Sequence, residues 1–183
     1  MAAERSRGSP DPLAREIAAH VGALWRYALA LTADPREADG LVRECLGRVL
    51  PRVRAWRAPR DMRVHLFAAM HDAFVDPGRK RRARAAHAPG GDVLARSPPP
   101  ADQPRRREPS AVAQALAALP GPQREVVLLV GLEGMSYPEA ARVLGVPVGT
   151  VTARLSRGRA ALHRLMAHDA VVRPPVAASG ASR

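Results

Sequence analysis

The chain of 183 residues carries a formal net charge of +12, 18 prolines, 14 glycines and only 3% aromatic residues. A balance this basic, nearly all of it arginine, points to a polyanion (nucleic acid or an anionic membrane surface), with part of the excess set by the arginine bias of a GC-rich genome. Cys45 stands alone, which excludes an internal disulfide and a thiolate metal cluster, and the Ala/Leu/Arg/Val bias favours helices over a large β-sandwich.

The opening "MAAERSRGSPDPLARE" lacks the apolar centre of a signal peptide, and no apolar run reaches membrane-spanning length, so a cytoplasmic protein is expected. From Leu13 to Leu31, apolar residues recur at helical spacing, with Ile17, Val21, Leu24, Ala28 and Leu31 on one stripe. Thr32 to Pro35 breaks this helix. Asp34 is the expected N-cap of the next one and Pro35 suits its first turn. That second helix places Ala38, Leu41, Val42, Cys45, Leu46 and Val49 on one face, and Pro51 predicts an end or a kink. A third helix is predicted over Met62 to Val75, with Leu66, Phe67, Met70 and Phe74 inward.

After residue 76 the composition changes. "PGRKRRARAAHAPGGDVLARSPPPADQPRRREP" has no sustained period and two arginine clusters, and predicts a mobile linker over 77–109. Its run Arg79-Lys80-Arg81-Arg82 is either a contact to DNA backbone or a solvated linker. Helix resumes at Ser110, breaks at Pro120-Gly121 and continues through "PQREVVLLVGLEG" with Gly134 past its end.

Ser136 followed by Glu139 is a capping-box spacing. Gly145 fits the left-handed residue that closes a helix, Val146 plugs the core and Pro147 starts the next helix. Val148, Val151, Leu155 and Leu162 form the buried stripe of that helix, with Thr150, Thr152, Arg154, Ser156, Arg157 and Arg159 on its other faces. A short capped helix, a glycine turn and a basic second helix make a helix-turn-helix. Arginine pairs with guanine edges or clamps phosphate, hydroxyls reach bases or backbone, and first-turn amides at Gly149 and Thr150 suit a phosphate. Arg154, partly inward, is either a reader or a structural residue.

The segment "ALAALPGPQREVVLLVGLEGMSYPEAARVLGVPVGTVTARLSRGRAAL", residues 115–162, closely resembles region 4 of the extracytoplasmic-function (ECF) sigma factors of bacterial RNA polymerase. The resemblance implies that the second helix reads the minus-35 promoter box through Gly149, Thr150, Thr152, Ala153, Arg154, Ser156, Arg157 and Arg159. The family carries a basic or polar pair where this chain has Thr152-Ala153, so the docking mode carries over and the base preference does not. "ALALTADPREADGLVREC" is similar to region 2 and implies polymerase-clamp contacts at Asp39, Leu41, Val42 and Glu44, although Gly40 and Arg43 replace an acid and a glutamine. "HLFAAMHD" stands where the family has an aromatic-rich helix that opens the minus-10 element, and implies His65, Phe67, His71 and Asp72 for that role.

The expectation is thus an all-α protein of two small helical domains, 11–76 and 110–168, joined by the linker and followed by a disordered tail over 169–183. It would be an ECF-type sigma factor with core RNA polymerase and promoter DNA as partners, an anti-sigma factor as a third, no membrane insertion, and no cofactor or metal. The sequence holds no catalytic Ser/His/Asp set, P-loop or paired acids, so no enzyme is expected. Two alternatives stay open: a sigma-like decoy that sequesters an anti-sigma factor, and a helix-turn-helix regulator that never meets polymerase.

Overall fold

The computed structural model describes residues 12–55, 61–76, 78 and 110–172. Among them all regular secondary structure is helical, in the order α1 (Pro12–Thr32), α2 (Pro35–Ala55), α3 (Met62–Val75), α4 (Ala111–Ala118), α5 (Gly121–Val127), α6 (Tyr137–Leu144) and α7 (Val148–Val172), with a π-helical turn over Leu128–Leu132. The expected linker contacts, including Arg79-Lys80-Arg81-Arg82, and the tail beyond residue 172 lie outside these residues. Helix α7 extends through Val172, past the start expected for the tail.

The first three helices pack on one another through the stripes their sequences carry: Leu24, Ala28 and Leu31 from α1, Ala38, Leu41, Cys45 and Val49 from α2, and Leu66, Phe67, Met70 and Ala73 from α3 are all buried. Tyr27 joins them, its ring tilted 60° against Phe67 at 5.3 Å. The start of α2 is fixed by Asp34, whose Oδ1 accepts from the amides of Arg36 (2.8 Å) and Glu37 (2.9 Å). Asp61 caps α3 in the same way through Val64 N. Helix α2 does not end at Pro51 but runs on to Ala55. The carbonyl that Pro51 leaves unpaired is that of Gly47, and both residues are exposed, so water can satisfy it.

In the second group α5 crosses α7, and α6 lies between them and α3. Buried Ala140 and Ala141 let α6 sit close. Gly158 does the same for α5: a Cβ there would stand 2.8 Å from Val127 Cγ2. The helix after Pro120 does not stay α to its end. Glu133 N donates to Leu128 O and Met135 N to Leu129 O, a widened turn that closes on Gly134 at φ +65°.

The two groups touch. Buried apolar residues form one cluster running from α1–α3 into α5, the π-turn, α6 and α7. No helix among the described residues is long and apolar enough to cross a membrane.

Candidate nucleic-acid interface

The helix-turn-helix is built as its residue types dictate. Ser136 Oγ accepts from Glu139 N (3.4 Å), and Glu139 Oε2 accepts from Ser136 N (2.7 Å) and Ser136 Oγ (2.6 Å), a complete capping box. These bonds from Ser136 hold the Glu139 carboxyl below its ordinary range. Gly145 ends α6 in the left-handed region (φ 62°, ψ 31°), its amide bonded to Ala141 O, and the next amide, Val146 N, returns to the same carbonyl. Val146 packs on the core, which fixes the angle at which α7 departs.

Val151 and Leu155 bury one stripe of α7, and Gly158 continues it. Leu162 is half-buried. Val148, expected on that stripe, is 43% exposed, because the stripe begins one turn later at Val151. Gly149, Thr152, Ala153, Ser156, Arg157 and Arg159 are exposed together, and Thr150 and Arg154 are half-buried at the edge. Two expected readers have local partners. The Thr150 amide donates to Pro147 O at 2.9 Å, so it is not free for a phosphate, and of the two expected amides Gly149 alone precedes the helix ladder there. The Thr152 hydroxyl donates to Val148 O at 3.1 Å and offers DNA an acceptor and a methyl group.

The residues expected to meet polymerase are divided. Leu41 and Val42 are buried. Asp39 accepts from Trp25 Nε1 at 2.8 Å, and Glu44 pairs with Arg48 at 2.7 Å. On α3, Phe67 is fully buried in the core, with Arg63 5.9 Å above its ring. His65 and Asp72 line a shallow hollow with Arg48, Val49, Ala68 and Ala69, whereas His71 turns away from it and pairs with Glu125.

That pair is one of several that close the seam between the groups, none of them foreseen from sequence. Arg63 donates to Glu133 O, and its guanidinium lies 3.9 Å from the Glu133 carboxylate, with that of Arg26 at 3.6 Å. Arg124 donates to Leu31 O (3.0 Å) and Leu119 O (3.0 Å), covering the carbonyl ends of α1 and α4. Arg142 meets Asp61 at 2.8 Å. Burial pushes the Glu133 carboxyl above its ordinary range, against the pull of Arg26 and Arg63.

Family models match both groups: "Sigma-70, region 4" over residues 110–162 and "Sigma2 domain of PhyR" over 17–71. An ECF RNA polymerase sigma factor of Rhodopseudomonas palustris, EcfG, is 33% identical over 159 residues, 87% of each chain. The chain belongs to the ECF RNA polymerase sigma factors. CnrH, an RNA polymerase sigma factor of Cupriavidus metallidurans, is 32% identical to this sigma factor over 92% of its length and 94% of CnrH. In structure it is similar to the sigma factor RpoE of Bartonella quintana, solved in complex with the anti-sigma factor NepR. That likeness has a TM-score of 0.65 and 26% identity, and covers 85% of this sigma factor and 97% of that chain.

Proposed function

We propose that this sigma factor binds core RNA polymerase and directs it to a promoter class, with α7 reading the minus-35 element and α1–α3 meeting the polymerase clamp and the minus-10 element. The domains would be 11–76 and 110–168, joined by a basic linker. The observation that carries the reading is the exposed face Gly149, Thr152, Ala153, Ser156, Arg157 and Arg159, on a helix whose angle is set by a capped helix and a left-handed glycine. Such a face fits a major groove, arginine supplying phosphate or guanine contacts. The site of action is the cytoplasm, beside the polymerase. An anti-sigma factor is the expected regulator, as NepR is bound to the Bartonella RpoE. The test is transcription reconstituted from purified core enzyme on promoters recovered by genomic run-off. Specific initiation that depends on this chain supports the reading, and its absence despite core binding rejects it.

One observation favours a second reading. Residues 17–71 match the sigma2 domain of PhyR, and a chain of PhyR, an anti-anti-sigma factor, shares the fold at TM-score 0.55. A decoy would capture an anti-sigma factor and support no initiation in the same assay.

A further inference from the structure

The tip of α7 carries small, uncharged groups that packing leaves unexplained. Val148, Gly149, Thr152, Ala153 and Ser156 are exposed there, while Val151 and Leu155 are buried and Thr150 and Arg154 are half-buried at the edge. Val148 leaves 43% of its surface in solvent, and a Cβ built on Gly149 would meet nothing within 4 Å. Arg157 and Arg159, the exposed cations of this face, lie further along the axis, about 7.5 and 10.5 Å past Thr152. The first two turns therefore meet a ligand with methyl groups and hydroxyls, Arg154 standing only at their edge.

The bond made by Thr152 narrows what those turns can read. Its hydroxyl donates to Val148 O at 3.1 Å, a bond that a helical threonine readily makes to the preceding turn. The oxygen keeps an accepting lone pair, and the side chain still offers its methyl group. Ala153 offers a methyl group alone. In the major groove guanine presents two acceptors, N7 and O6, and calls for donors that neither residue has free. Thymine presents a methyl group, and the adenine opposite it presents an amino donor. Of the base pairs, only T·A offers both.

We infer that Thr152 and Ala153 read thymine methyl groups, so that the sequence under the tip of α7 is set by T·A pairs and apolar contact rather than by arginine on guanine. This assignment rests on α7 being the DNA-reading helix. Arg157 and Arg159 hold that helix in the groove through phosphate or guanine further along. Gly149 has a part in it as well: with no side chain there, the helix end comes close enough for groups as short as a methyl to touch base edges.

The test uses the full chain, alone and with core RNA polymerase, to select duplexes from a randomised pool. Each thymine of the enriched duplex is then replaced by deoxyuridine, which removes the C5 methyl group and nothing else, and affinity is read as a thymine-to-uracil ratio. Two positions should weaken about fourfold each, the worth of one buried methyl group. Thr152→Ser, which deletes the methyl group and keeps the hydroxyl, brings the ratio at one position to unity. Thr152→Val, which keeps methyl groups and deletes the hydroxyl, leaves it at about fourfold. Ala153→Gly brings the ratio at the other position to unity. Each ratio is taken within one variant, so a change in helix stability cancels. Ratios that survive Thr152→Ser and Ala153→Gly, or one that is lost with Thr152→Val, overturn the proposal. A duplex that ignores every uracil yet is released by Arg157→Ala overturns it too, and leaves α7 standing as the reading helix. A duplex indifferent to uracil and to Arg157→Ala, or a pool in which nothing is enriched, rejects α7 as the reader and the proposal with it.

Discussion

Gly158→Ala tests how α7 is seated. The new Cβ would stand 2.8 Å from Val127 Cγ2, 3.4 Å from Gln123 O and 3.5 Å from Gln123 Cβ. Comfortable carbon contacts lie at about 3.5–4.0 Å, so one contact is too short and two are acceptable. Relief requires Val127 or the whole of α5 to retreat by several tenths of an ångström, and overpacking of this kind costs about 1–3 kcal/mol. Against it stands the helix propensity gained on leaving glycine, about 1 kcal/mol. The expected net effect is a loss of about 0–2 kcal/mol. The sharper quantity is the coupling with Val127→Ala, which removes the atom that clashes. In that background Gly158→Ala should stabilise by about 1 kcal/mol, so the cycle should return about 1–3 kcal/mol of interaction. Urea titrations followed by far-ultraviolet circular dichroism on the four proteins supply the values. If Gly158→Ala has the same effect with and without the Val127 side chain, close approach is not why glycine is there.

The remaining expectations concern the cap, the thiol and the reader. Ser136→Ala should cost about 1 kcal/mol by thermal melting. Because Glu139 is held below its ordinary range in the fold, its contribution is present above the ordinary carboxyl range and is lost as pH falls through the lowered folded value; Ser136→Ala should flatten that part of the stability profile. Burial pushes the Cys45 thiol up to about 12, and its Sγ–H donates to Leu66 O at 3.4 Å. Iodoacetamide at mildly alkaline pH should therefore leave the native chain unmodified and react after unfolding, and rapid native alkylation would contradict the packing of α2 on α3. Arg157→Ala should weaken binding to a cognate minus-35 duplex by about 1–3 kcal/mol in a mobility-shift titration, and unchanged affinity would remove Arg157 from the readers.

Local chemistry made much of this molecule legible. The apolar stripes of α1–α3, the caps at Asp34 and Ser136, and the left-handed Gly145 depend on neighbours within about one or two helical turns, which is the range over which sequence spacing speaks. What escaped depends on distant partners or on backbone details without a residue signature. Arg63 meets Glu133 and Arg124 meets Leu31 across the groups, and nothing in the spacing of either pair announces it. Gly158 looks like a weak point in a helix until α5 lies against it. Ala33 holds φ at 56° where glycine would be the easier choice, and its amide closes α1 on Leu29 O at 2.8 Å. Of the end or kink expected at Pro51, the end is not found: the helix continues through it, and the carbonyl it frees, at exposed Gly47, is open to water.

A π-turn holds one residue more than an ordinary helical turn, so removing one residue from Leu128–Leu132 would restore ordinary pitch and leave α5 facing much as it does now. An α-helix advances about 100° per residue, so removing a second would swing α5 by about that angle relative to α6. Val126, now fully buried, would then rotate out of the core, and the acid at 133 would face elsewhere. The stretch "LLVGL" thus carries one residue of slack in its length and none beyond it. What it holds for the fold is a phase, and losing that phase would mean rebuilding the contact between the two groups.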